Sequence, residues 1–459
     1  MSLDLDVKCW AKSQFEDCQL RDKRRTRRVV KMAAEFAANP SGSTPEQTES
    51  WKDCKAAYRF LDNADVSFSA LGLPHWKRTT GQVSGHFLVI GDTTTIAFDK
   101  ARVVEGMGIT SSAQSKGFML HSALVVNAKS GEIVGLGGQT IHYRHKVPSG
   151  ESFRDRLARD RESKIWGEVI QIVGAPRSGV QFTHVFDRGA DNFEVYCHLL
   201  LQRSDWVVRA AQLKRRVFDG KETVQLKDYL ATLAVSGNYE LTVTANKNQT
   251  KRTARVEVRY GQIGLPAPRD CGRFVRECGI QFLAMRVVEV REVEPPQECQ
   301  PLRWVLYTSH RIESFDDAWR VIEYYERRPL VEELHKALKT GCRLEERQYE
   351  TAERWERLTA ILSIVAVRLL QMKTIAKQNP NLAAEEIVPK RWIQILSDVK
   401  SGSRKPIRTI RDFVRTLAGL GGHMGRKHDG DPGWMTLWRG FNKLHLLLRG
   451  AAAERKRCG

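Results

Sequence analysis

Residues 86–99, HFLVIGDTTTIAFD, are β-branched and short of helix formers, so they read as a strand with an aspartate in its middle. A buried carboxylate without a partner is costly. Asp92 therefore lies at an exposed strand edge, or it faces a counter-charge or a metal ion. Few folds accommodate the second case, because other parts of the chain must return to the same strand to supply what the carboxylate needs.

The stretches that follow are compatible with such a return. SALVVNAKSGEIVGL reads as two strands around a turn from Asn127 to Gly131, and SFRDRLARDRESKIWGEVIQIV has helical spacing. VQFTHVFDRGADNFEVYCHLLL then reads as a buried strand entering a helix, with DWVVRA as a further strand. Three strands, a helix, then alternating strand and helix is the order of a ribonuclease-H-like core, although other α/β folds share it. Residues from about 210 to 310 are β-rich: YELTVTA, RVEVRY, FLAMRVVEV and LRWVLYTS alternate between Gly, Pro and Asn-Lys turns. Helices return in SFDDAWRVIEYYERR, PLVEELHKALK and RWERLTAILSIVAVRLLQMKTIAKQ, the last with the apolar content of a buried core helix, before a basic helical tail.

The first 75 residues read as helical. In LRDKRRTRRVVKMAAEFAANP, Val29, Met32, Ala33 and Phe36 share one stripe, with Arg24, Arg25, Arg28 and Lys31 largely off it. Asn39-Pro40 stops that helix, and a second covers ESWKDCKAAYRFLDN. The basic face is either a solvated surface or a grip on a DNA backbone.

Charge favours the grip. The 459-residue chain carries a formal net charge of +20 and a pI near 9.7. Seven of the eleven residues from Arg21 to Lys31 are basic, and residues 387–459 hold 16 basic and 5 acidic side chains, more than half of the surplus. Such a chain calls for an anionic partner, nucleic acid before a membrane surface, since no lipidation motif or run of about 18 apolar residues stands out. With 41% hydrophobic residues the chain can build large cores, and its length suggests several domains. Nine cysteines, with Cys271 and Cys278 too far apart for a zinc half-site, point to reduced thiols in a cytoplasm, where the nucleic-acid reading of the charge makes the protein nucleoid-associated.

Two further acids accompany Asp92. Asp187 closes the apolar run FTHVFD, where a strand's C-terminal end offers a site or a helix begins with an N-cap. Glu332 stands among Arg328, His335, Lys336 and Lys339 in YYERRPLVEELHKALK. At about 100° per residue, Tyr325, Arg328, Glu332, Lys336 and Lys339 fall within roughly 80°, opposite Leu330, Val331, Leu334 and Leu338. Pro329 either breaks that helix or marks its first position, leaving Tyr325 and Arg328 in the preceding turn. Spacing alone does not separate a solvated face from a metal-binding one. Three gathered carboxylates suit two-metal phosphoryl transfer, which needs hard oxygen ligands and open positions for phosphate and water.

Tyr325, Arg328, Glu332 and Lys339 follow Y-x₂-R-x₃-E-x₆-K, which resembles the Tyr-Arg-Glu-Lys motif of bacterial insertion-sequence DDE transposases. GDTTT at 91–95 is similar to that family's first-acid motif and FDRGADN at 186–192 to its second, including Arg188. KAAYRFLDN with the basic helix before it resembles the N-terminal DNA-end-binding domain, and GDPGWMTLWRGFNKL at 430–444 the C-terminal region. Pro329 departs from the aromatic residue common after the motif arginine, and Val331 from isoleucine before the glutamate; both bear on local helix geometry.

The resemblance implies an α/β chain: a helical DNA-end-binding domain (1–75), a ribonuclease-H-like catalytic core (76–386) with a β-rich insertion near 210–310, and a helical dimerisation and synapsis domain (387–459). The 145 residues separating Asp187 from Glu332 suit such an insertion. It further implies that Asp92, Asp187 and Glu332 bind two Mg²⁺ ions, with Mn²⁺ as a substitute. The family's hairpin-forming cut-and-paste branch nicks one strand, closes a hairpin, hydrolyses it and joins the 3′-OH to target DNA. Tyr325, Arg328, Lys336, Lys339, Arg188 and Arg209 are expected at DNA near the cleaved end, and Arg24, Arg27 and Arg28 at the backbone. Trp304 matches a family tryptophan that stacks on a flipped base; on its own it is equally a core residue. The expected partners are double-stranded DNA, both element ends and target, and a second copy of the chain, with no membrane. Two alternatives are a catalytically silent regulator descended from a transposase and a general basic nucleic-acid scaffold.

Overall fold

The computed structural model describes residues 7–98, 104–110, 115–152, 155–156, 159, 161–243, 252–297, 299, 301–399, 406–426 and 429–457. The chain is mixed α/β, helical at both ends around one mixed sheet.

At the N-terminus are α1 (Val7–Phe15), α2 (Lys23–Ala38), α3 (Trp51–Leu61) and α4 (Phe68–Thr80). Asp22 caps α2 by accepting a hydrogen bond from the Arg24 amide at 2.7 Å. Val29, Met32, Ala33 and Phe36 are fully buried along one stripe, as their spacing predicts. The charged face is partly self-neutralised: Arg24 pairs with Asp22, while Arg28 and Lys31 both pair with Asp53 of α3. Arg27 is exposed.

Among the described residues, twelve strands form the sheet: β1 (Gly85–Phe98), β2 (Gly108–Ile109), β3 (Lys116–Asn127), β4 (Ile133–His142), β5 (Val180–Phe186), β6 (Asp205–Arg209), β7 (Arg216–Phe218), β8 (Thr223–Gln225), β9 (Gly237–Val243), β10 (Arg252–Pro266), β11 (Phe282–Glu292) and β12 (Arg303–Thr308). Their order is β2-β3-β1-β5-β6-β12-β11-β10-β7-β8, with β4 on β3 and β9 on β10. The segments that matter for the site are β1 (Gly85–Phe98), β3 (Lys116–Asn127), β4 (Ile133–His142), β5 (Val180–Phe186) and β6 (Asp205–Arg209). β3 and β4 make the expected hairpin, β3 pairs antiparallel with β1, and β1, β5 and β6 run parallel. Between β4 and β5 the helix α5 covers only Ile165–Val173, shorter than the helical spacing of 152–173 suggests, and part of that stretch lies outside the described residues. After β5 comes α6 (Phe193–Leu201).

The β-rich stretch is continuous with this sheet. β12 (Arg303–Thr308) pairs with β6, β11 (Phe282–Glu292) with β12 and β10 (Arg252–Pro266) with β11, all antiparallel. The insertion thus extends the core sheet at its β6 edge.

Two helices bring the chain back: α7 (Phe315–Glu326) and α8 (Pro329–Lys336). Then α9 (Ala352–Gln378) crosses the core, followed by α10 (Lys390–Val399), α11 (Ile410–Leu420) and α12 (Trp434–Arg457). Residues 352–377 are long and apolar enough to cross a membrane by length and composition, but 78% of the apolar window is buried inside the protein, in line with the core helix expected there. Trp355, Leu358, Ile361, Leu362 and Val365 are each 0% exposed, so α9 is a core helix. One apolar cluster runs from Trp10 of α1 through β1, β3 and α9 to Trp438 of α12, fixing the N-terminal helices to the sheet.

Candidate metal centre and DNA-facing residues

The parallel register of β1 and β5 brings the two aspartates together. Ile90 pairs with Val185 as the last residue pair of that ladder. Asp92, in the middle of β1, and Asp187, just past the end of β5, each stand two residues beyond that pair. Gly91 permits the close packing here, since a Cβ at that position would lie 2.4 Å from the Phe186 ring. The Asp187 carboxylate also accepts a hydrogen bond from the Gly189 amide at 2.8 Å, capping the short turn Arg188–Ala190, while Asn192 caps α6. Both readings of Asp187, cap and site, are therefore compatible.

Glu332 arrives on α8, which packs across β1 and β3. The helix starts at Pro329, and Arg328 is its N-cap. Tyr325 belongs to the last turn of α7, so Tyr325 and Glu332 occupy two helices rather than one face of a single helix. Val331, Leu334 and Leu338 are buried as the apolar side requires.

A single guanidinium links the three acids. Arg328 Nη2 lies 3.2 Å from Asp92 Oδ1 and 3.5 Å from Asp187 Oδ2, and Nη1 donates to Glu332 Oε1 at 2.6 Å. The two aspartate oxygens share one nitrogen atom, so they are at most about 7 Å apart, a span that a pair of divalent ions can bridge. Burial pushes the Asp92 carboxyl up to about 6; Arg328 and the Thr93 amide oppose this, while Asp187 and Glu332 add to it. Burial also works against the charge on Arg328, but Asp92, Asp187 and Glu332 outweigh it and hold its pKa above the ordinary value. Its Nε is buried without a hydrogen-bond partner. Three hard oxygen donors crowded around a positive charge form a donor set that fits Mg²⁺ or Mn²⁺. A tighter acidic group exists elsewhere among the described residues, Glu35, Glu49 and Asp53, whose ligand atoms lie within 4.8 Å of one another. Lys31 already neutralises it at 3.6, 3.7 and 2.9 Å.

An aromatic and basic band flanks the triad. Trp304 of β12 is half-buried and meets Tyr325 edge-on, with ring centroids 5.6 Å apart. Burial raises the Tyr325 phenol pKa, and the neighbouring Arg209 and Arg328 oppose the rise. Arg209 is held by donating to the Arg303 carbonyl at 3.1 Å. Arg188 and Lys336 are exposed. Lys339 is placed differently from its neighbours: it sits in a π-helical turn, Ala337–Gly341, donates to the Thr95 carbonyl at 2.9 Å and pairs with Glu345 at 3.1 Å. Arg24, Arg27 and Arg28 belong to α2, within the N-terminal helices.

Sequence reasoning missed three contributors. Glu345 also accepts from the Ala97 amide at 3.0 Å, fastening Lys339 to β1. His121 and His335 are buried with unpartnered Nε2 atoms, and burial pushes both down to about 3, so they are neutral. His121 shares a 2.8 Å hydrogen bond with Thr93, beside Asp92. His335, one helical turn after Glu332, was visible in the sequence, but nothing in its spacing told a core histidine from a site residue.

Two family models match the ends of the chain: transposase DNA-binding over residues 8–66, and transposase Tn5 dimerisation domain over residues 364–458. The first covers α1 to α3 with their basic residues, and the second the end of α9 through α12. At its two ends the chain is thus similar to the DNA-binding and dimerisation domains of transposases, with about a third of its length matched.

Proposed function

We propose that this chain is a divalent-metal-dependent DDE transposase of the hairpin-forming type, with Asp92, Asp187 and Glu332 as its metal ligands. The strand order β4-β3-β1-β5-β6, antiparallel then parallel with helices between, supports a ribonuclease-H-like core. The observation that carries the reading is the convergence of three sequence-distant carboxylates on Arg328.

Two divalent cations held by these carboxylates would neutralise charge on the attacking and leaving oxygens of an in-line displacement. The protein's own groups do the positioning. Arg328, the planar fork beside the acids, suits a phosphate of the scissile strand, which it can grip through two parallel hydrogen bonds. Arg188 and Lys336 offer exposed charges to neighbouring phosphates. Trp304, with Tyr325 at its edge and Arg209 close by, offers an aromatic face to a base unstacked near the cleaved end. Unstacking relieves the bend that a hairpin demands. Water attack nicks one strand and leaves a 3′-OH; that hydroxyl attacks the opposite strand to close a hairpin. Hydrolysis reopens the hairpin, and the 3′-OH then attacks target DNA. The N-terminal helices would hold the element end, with exposed Arg27 on the backbone, and the C-terminal helices would pair two copies.

The test uses genomic DNA spanning the terminal repeats that flank the coding region, incubated with purified protein with and without Mg²⁺. The expected result is a nick followed by a hairpin product on denaturing gels, only with the ion. Asp92→Ala should abolish both products while leaving end binding nearly intact. A D92A protein that still cuts would refute the assignment.

A further inference from the structure

Arg328 has contacts that a phosphate-binding residue alone does not need. Its guanidinium touches all three acids at 2.6 to 3.5 Å, and its side chain is only 16% exposed. Arg328 holds one oxygen of each carboxylate, Asp92 Oδ1, Asp187 Oδ2 and Glu332 Oε1, and so takes up half of the oxygens these acids could offer a divalent cation. A guanidinium and a metal ion cannot both occupy the lone pairs facing that space, and their like charges repel at this short range. Metal binding therefore requires Arg328 to withdraw from at least part of this contact. Once withdrawn, its buried fork has lost its counter-charges and needs another anion.

We propose that Arg328 is an internal counter-ion that competes with the divalent cation, so that metal loading and DNA-phosphate binding are coupled through one side chain. This rests on the metal-binding reading of the triad. With Arg328 on the carboxylates, the three acids are kept gathered at low cost and the ion binds weakly. A DNA phosphate at the site gives the guanidinium another anion to pair with, which frees the carboxylates for metal. Linkage makes the effect reciprocal: DNA tightens metal binding by the same factor that metal tightens DNA binding. The pairing also suits arginine in particular, since a lysine ammonium could not span three carboxylates as a planar guanidinium does.

The experiment measures Mn²⁺ affinity of the full chain by electron paramagnetic resonance and calorimetry, with and without a 30-base-pair duplex of arbitrary sequence, for the native protein, R328Q, R328K and D92N. Without DNA, R328Q should bind Mn²⁺ about tenfold more tightly than the native chain, because one repelling charge is gone. R328K should fall between them and stands in for R328Q if that variant lacks a cooperative melting transition. Adding DNA should tighten Mn²⁺ binding to the native chain and leave R328Q unchanged. Native-like Mn²⁺ affinity in both Arg328 variants, with or without DNA, overturns the competition. If the native chain binds no more Mn²⁺ than D92N, the metal reading of the triad fails, and this inference with it.

Discussion

Asp191 and Arg215 form a buried ion pair that joins the turn carrying Asp187 to the beginning of the β-rich insertion. The Asp191 side chain is 0% exposed and also accepts from the Ala211 amide at 2.7 Å and the Tyr196 hydroxyl at 3.1 Å, while Arg215 Nη2 donates to the Asp191 carbonyl at 3.0 Å. The second acid is thus anchored from the insertion side as well as by its own strand. Asp191→Ala leaves the Arg215 charge buried and unpaired and should cost about 3–5 kcal/mol. Urea unfolding measures this, and D191A/R215M should recover most of the loss; an undiminished midpoint in D191A would show that the tie carries no stability.

The Asp92 carboxyl gives a pH dependence of definite sign. Its pKa in the folded chain, raised from 3.8 to about 6, exceeds the unfolded value, so its contribution is fully present below about pH 4 and is lost as pH rises through 6. In metal-free buffer, the stability of the native chain relative to D92N should therefore fall between pH 4 and pH 6, by up to about 3 kcal/mol, and level off above. Melting curves of the two proteins at each pH supply the difference. A difference that increases across this window contradicts a desolvated Asp92.

Arg357 holds the N-terminal helices on the core. From α9 it donates to the Leu61 carbonyl at 2.5 Å and the Val66 carbonyl at 2.6 Å, at the end of α3 and just beyond it. Arg357→Ala leaves two carbonyls without a partner and should destabilise the chain by about 2–4 kcal/mol. Limited proteolysis should then release residues around 7–66 faster than in the native protein; an unchanged digestion pattern counts against this clamp.

In the C-terminal helices, α11 and α12 cross backbone to backbone. A Cβ at Gly440 would lie 1.9 Å from the Leu417 carbonyl oxygen, and one at Gly421 would lie 1.8 Å from that of Thr436. Gly440→Ala should force the pair apart and lower the dimer fraction in light scattering, with the central core still folded by near-ultraviolet circular dichroism. A fully dimeric G440A would show that this crossing is not needed for pairing two chains.

The strands and helices were legible because their periodicities are strong. β1, the β3–β4 hairpin, β5 and the buried stripe of α2 all lie where alternation or helical spacing indicates. The break between Tyr325 and Glu332 was half-legible, since Pro329 marks a first turn but does not show that Tyr325 closes a separate helix. Contacts between distant segments were not legible. Nothing in LEERQYE indicates that Glu345 reaches the Ala97 amide, and nothing in KRRTRRVVK shows that Asp53 neutralises Arg28 and Lys31. Such pairs depend on how elements dock, which local pattern does not encode. The single-arginine bridge was hidden for the same reason, although all four residues had been singled out.

The reading of Asp92, Asp187 and Glu332 as holders of a pair of divalent cations is tested by chemistry at the ions themselves. Replacing Mg²⁺ with Fe²⁺ and adding peroxide and ascorbate generates radicals at the bound ion, and mass spectrometry maps where the backbone is cut. The account expects cuts near residues 92, 187 and 332 together, suppressed by excess Mg²⁺ and absent from D92N. Cuts concentrated around Glu35, Glu49 and Asp53, or a native pattern unchanged in D92N, would contradict it.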